Sequence, residues 1–144
     1  MTYTNTKQVF EIFEEFEMAK SRPKRKEVLL KYSDCIAFKD VLRGTFDESL
    51  VFNLPEGRPP FTANRPESAP SSLLKQHKQF GWFINGSRGN SIPAYKRENM
   101  FIRLLESVHP ADAEIVLSMV EKKSPVKFLT KKLVQEAFPK LIQT

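Results

Sequence analysis

The sequence holds a single cysteine, Cys35, so no disulfide can close within it. That fits a reducing compartment. There are two histidines, His77 and His109, and neither has a cysteine or carboxylate cluster at metal-ligand spacing. Both are expected on the surface, and no metal or cofactor is expected. Cys35, beside Ile36, reads as a small packed hydrophobe. Glycine is also scarce, at five residues. The closest pair, in GSRGNS (86–91), matches neither GxxxxGK[ST] nor GxGxxG, which argues against a nucleotide phosphate loop. No apolar run approaches the ~20 residues of a membrane span. The opening MTYTNTKQ lacks the apolar segment of a signal peptide. Glu14–Glu15 and Asp47–Glu48 read as exposed faces. Nothing assembles a nucleophile, a base and an orienting group, so no autonomous enzyme is expected.

What the sequence does have is positive charge and phenylalanine. The 144 residues carry a net charge of +6, and twelve Phe and Trp82 supply much of one core. Residues 1–70 hold 11 basic and 11 acidic side chains; residues 71–144 hold 12 and 6, so the whole excess lies in the second half. A basic domain favours nucleic acid, an anionic membrane or an acidic protein.

Helical periodicity dominates. Val9, Ile12, Phe13 and Phe16 mark one buried face, with Thr4, Asn5 or Thr6 available as cap. Ser21 offers an N-cap to a helix from Pro23 to Lys31, with Val28, Leu29 and Tyr32 on its inner side. Asp34 is expected to cap a third helix carrying Ile36, Phe38, Val41 and Leu42, which Gly44 ends. Five of the ten prolines fall in 53–72, forbidding a regular element there. Leu50, Val51, Phe52 and Phe61 should still pin that region down. Further helices are expected over 71–83, 94–107, from Pro110, and over 130–138. Met100, Phe101, Leu104, Leu105 and Val108 face inward in one; Ala113, Val116, Met119 and Val120 do so in the next. Asp112 and Glu114 suit a helix N-terminus. The expected class is all-α, one domain over 1–144 of six to eight short helices.

Three junctions combine small residues with cations: KSRPKRK (20–26), GSRGN (86–90) and KKSPVKFLTKK (122–132). The first places five cations in seven positions at a helix start, against the macrodipole. Small residues let backbone amides approach an anion, and Arg and Lys neutralise it. Three such loops could follow a duplex backbone without reading bases. Equally, they could be ordinary solvated loops of a basic protein.

The order of these features resembles the N-terminal DNA-binding domain of ATP-dependent DNA ligases, especially the bacteriophage type. VFEIFEEFEMAKSRPKRKEVLLKYSD is similar to that domain's first helical hairpin. MFIRLLESVHPADAEIVLSMVEKKSPVKFLTKKLVQEAFPKLI is similar to its closing pattern, ending on Phe138, Pro139, Lys140, Leu141 and Ile142. LKQHKQFGWFINGSRGNS corresponds to the helix and loop between. The resemblance implies an all-helical fold that grips double-stranded DNA from the minor-groove side and along its backbone, with little sequence preference. Carried over by position, the contacts are Ser21, Arg22 and Lys24; Ser87, Arg88, Gly89 and Asn90; and Lys123, Ser124, Lys127 and Lys131. The ligase nucleophile motif K-x-D-G is absent, so binding without ligation is implied. A free-standing phage accessory protein in a host cytoplasm is the expectation, and no membrane partner is expected. A helical protein-interaction adaptor that kept the fold, or a part of a split ligase, remain the alternatives.

Overall fold

A computed structural model describes residues 7–86 and 89–142. Among them are seven α-helices: α1 (Val9–Met18), α2 (Arg22–Lys31), α3 (Ile36–Phe46), α4 (Leu73–Gln76), α5 (Ala94–Ser107), α6 (Pro110–Val120) and α7 (Lys131–Ala137). Short 3-10 turns occupy Pro66–Ser68, His77–Phe83 and Gly89–Ser91. The fold is all-α. Among the described residues the one extended pairing is an isolated antiparallel bridge between Phe52 and Ile84.

Most helices follow their apolar periodicity. α1 buries Val9, Ile12, Phe13 and Phe16. The Gln8 N–H donates to the Glu11 carboxylate at 2.8 Å and closes the helix start; Thr4, Asn5 and Thr6 lie outside the described residues. Ser21 Oγ accepts from the Lys24 N–H at 3.4 Å, with Pro23 in the first turn. α2 fully buries only Leu29, while Val28 and Tyr32 are half-buried. Thr130 caps α7 by accepting from the Leu133 N–H.

Two helices depart from expectation. Cys35, not Asp34, occupies the N-cap position of α3, and Ile36 is exposed. Gly44 does not end α3, which runs on to Phe46. A Cβ on Gly44 would stand 2.5 Å from Met119 Sδ, so this glycine lets α3 and α6 approach. Lys122 closes α3 instead: its ammonium donates to the Gly44 and Asp47 carbonyls at 2.7 and 3.0 Å. The expected 71–83 helix is α for one turn and then 3-10. Its buried His77, Phe80 and Phe83 recur every three residues, the period that stacks side chains on a 3-10 turn.

The core is one apolar cluster to which all seven helices contribute, from Val9 to Ile142, with Leu29 from α2 and Leu73 from α4. Phe13 meets Phe38, and Phe83 meets Phe101, edge to face at 5.1 and 5.3 Å. The proline-rich segment is fastened over it. Arg58 pairs with Glu114 and Glu121, and Asn64 donates to the Glu106 and Val108 carbonyls. Phe52, Leu54 and Phe61 pack inward, while Val51 stays exposed.

Candidate nucleic-acid interface

α2 packs on α7, and this brings two of the three basic junctions to one edge. Arg22 makes a two-toothed pair with Glu136, at 2.9 and 2.6 Å. Arg25 lies over the Phe128 ring, 3.9 Å from its centroid. The α6–α7 connection is shaped for this. Lys122 and Phe128 both take left-handed backbone, at φ 60° and 68°. Ser124 Oγ donates to the Val126 carbonyl at 2.7 Å. Leu129 is buried and Thr130 caps α7, so the chain is anchored beyond Phe128, a residue 61% exposed. A bulky residue in that conformation costs on the order of 1–3 kcal/mol.

The edge is more positive than its pairs suggest. Arg22 is matched by Glu136 and Lys131 by Glu48. Among the described residues, Lys20, Lys24, Lys123, Lys127 and Lys132 are exposed and carry no ion pair. The hydrogen bonds from Arg22 hold the Glu136 carboxyl below its ordinary range, and the charges of Lys26 and Lys132 act in the same direction. One carboxylate thus faces three cations.

The third junction belongs to a different network. A Cβ on Gly89 would overlap the Ile84 carbonyl oxygen, which makes glycine obligatory there. The Gly89 carbonyl accepts from Arg97, and Asn90 bonds to Asn53 and Asn85. Ser87 and Arg88 lie outside the described residues. Of the positions carried over from the ligase pattern, Ser21, Arg22 and Lys24 start the helix that docks on α7, and Lys127 adjoins the Phe128 stack in the connection that also holds Ser124, whereas Lys131 turns to Glu48 and the charge of Lys123 acts on Glu121. Gly89 and Asn90 sit by the Phe52–Ile84 bridge.

Several chemical groups escaped the sequence reading. His77 is buried, not on the surface, and its Nδ1 stands 2.6 Å from Asp40 Oδ2. It shares with Cys35 the wall of a cavity of about 470 Å³. The His77–Asp40 pair ties α3 to the 3-10 turn. His109 stacks on Phe10 and caps α6, its Nδ1 accepting from the Ala111 N–H at 2.9 Å. Asp47 is buried, contrary to the exposed face expected of it, and accepts from Ser49. Glu15 takes Lys31, Lys7 and the Tyr32 hydroxyl. Arg97 is buried and donates to the carbonyls of Asn53, Gly89 and Ile92. The i, i+3 and i, i+4 rules could not have found these partners, because most lie far away in the chain. Among the described residues no three metal-ligating side chains gather.

Neither the curated proteins nor the solved structures contain a match to this chain. Residues 12–125, from α1 through the start of the α6–α7 connection, match a protein family described as a family of unknown function, DUF6433. The match covers most of the sequence, and the chain therefore belongs to the DUF6433 family.

Proposed function

We propose that this protein binds double-stranded DNA along the α2–α7 edge, without reading its sequence and without catalysing a reaction on it. The observation that carries this reading is the meeting of KSRPKRK and KKSPVKFLTKK on one surface, where lysines without ion pairs outnumber carboxylates. The positive end of the α2 dipole lies on the same surface, and no acidic residue stands in its first turn. Flexible lysines on loops suit phosphates; they do not present the fixed bidentate geometry that reads base edges. The resemblance to the ligase DNA-binding domain points the same way. GSRGN would add a separate contact through Arg88. On this reading the protein would act as a phage accessory protein in the host cytoplasm.

Affinity is then mostly electrostatic. With Lys20, Lys24, Lys123, Lys127 and Lys132 each releasing one counterion, log K should fall against log salt with a slope of about −4.5. Titration of a labelled random duplex over a salt series measures it. Lys127→Ala should weaken binding on unrelated sequences and flatten the slope by about one. Lys7→Ala is the control, because Lys7 pairs with Glu15 on α1. Negligible duplex binding near physiological salt, with loop variants matching the control, would favour an adaptor instead. A covalent adenylate formed from labelled ATP would refute the non-catalytic part.

A further inference from the structure

We infer that Phe128, backed by Arg25, is a stacking platform for an unpaired nucleobase, so that the α2–α7 edge prefers DNA carrying a gap over intact duplex. This rests on the DNA-binding reading above and names the substrate class of the same edge. Four observations converge. Phe128 is 61% exposed, whereas most phenylalanines are buried or packed against the core. It is held out by left-handed backbone, at φ 68°, between the turn at Ser124 and the buried Leu129. One ring face is already occupied by the Arg25 guanidinium at 3.9 Å, which stiffens the ring's position. The Arg25 Nε is itself buried and without a hydrogen-bond partner, so Arg25 spends its packing on the ring. The exposed part of the ring is therefore the face and edge away from Arg25.

The surroundings select the occupant. Lys24 and Lys127, each adjacent in sequence to one member of the stack, are exposed and carry no ion pair. An apolar partner surface would gain nothing from these charges. A nucleotide uses both features: its base offers a π-face of any sequence, and the phosphates on either side of its sugar reach the lysines. In intact duplex the internal bases already stack on each other and offer no free face. A base beside a gap does.

The experiment compares two labelled duplexes of one sequence and equal ends, one intact and one with a central three-nucleotide gap, using the full chain. Wild type should bind the gapped form about tenfold more tightly. Phe128→Ala and Phe128→Leu should each bring the ratio of the two affinities close to one, Leu showing that aromaticity and not apolar bulk is needed. Phe128→Tyr should keep the ratio. Lys127→Ala should weaken both forms and keep it too. Phe128→Ala and Phe128→Leu lose the Arg25 stack, so a thermal melt should show one transition kept with a midpoint lowered by only a few degrees, and Phe128→Tyr should melt as wild type. A 2-aminopurine placed at the gap edge should be quenched on binding by wild type and not by Phe128→Ala. Equal affinity of wild type for both duplexes, with a normal salt slope, overturns the platform and leaves duplex binding standing. A preference that survives Phe128→Leu overturns it as well. Binding to neither duplex overturns both readings.

Discussion

Asp112 shows how much one buried atom can decide. It is fully buried in the first turn of α6. Its Oδ1 accepts from the Phe10 N–H at 3.0 Å, and its Oδ2 has no hydrogen-bond partner. Burial pushes this carboxyl up to about 7, the Phe10 amide acts against that rise, and the charge of Glu11 adds to it. The folded value lies above the unfolded one of 3.8, so the folded state holds the proton more tightly. Stability from this group is complete below about pH 4 and is lost as pH rises through 7. A shift of about three units corresponds to on the order of 4 kcal/mol. Thermal melts should accordingly show the midpoint falling between about pH 4 and pH 7. Asp112→Asn keeps the acceptor for Phe10 and should flatten that dependence; an unchanged slope in the variant would place its origin elsewhere.

Helix pairs, in turn, depend on close approach. α3 and α6 are neighbours because Gly44 leaves room for Met119. On helix propensity alone, Gly44→Ala should stabilise α3 by up to about 1 kcal/mol. The added Cβ would meet Met119 Sδ at 2.5 Å and Cγ at 2.8 Å, atoms in the middle of that side chain rather than at its free end. Overpacking of this kind costs about 1–3 kcal/mol, so the net effect should be destabilising. Combining Gly44→Ala with Met119→Ala should show coupling: the double variant should lose less stability than the two single losses added. Simple additivity in denaturant titrations would mean that the two helices part without cost. α2 and α7 are held differently, by the exposed Arg22–Glu136 pair and the Arg25–Phe128 stack. That seam contributes mainly shape and charge, and the proposed binding uses both.

At the scale of the whole molecule, the two halves of the chain share one core. Val9, Ile12, Phe13 and Phe16 join the same cluster as Leu104, Met119 and Val134. Phe101 on α5 is 4% exposed and meets Phe83 edge to face. Phe101→Ala should cost about 3–5 kcal/mol. Because the cluster is shared, that loss should lower a single unfolding transition, with far-ultraviolet circular dichroism and Trp82 fluorescence changing together. Two separate transitions would show that the halves fold apart. Charge is shared in the same way: the net excess lies in residues 71–144, but the cationic edge takes Lys20 and Lys24 from the balanced first half.

The sequence by itself determined the helices whose signals are local. α1 and α5 fall where their apolar spacing places them, and the Ser21 cap and Pro110 start are chemistry within one turn. The same periodicity marked Phe13, Phe16, Leu104 and Met119 as core, because a helix buries whichever face is apolar. It also singled out the three cationic junctions. Only the tertiary structure decided which of them meet. Arg22 and Glu136 are 114 positions apart, and no local pattern states that α2 docks on α7. That docking turned Arg25 onto Phe128, just as the packing of α3 on α6 turned Gly44 from an expected helix end into a contact. His77 and Asp112 were likewise buried by elements far away in the chain, since burial of a polar group depends on what covers it and not on its neighbours in sequence.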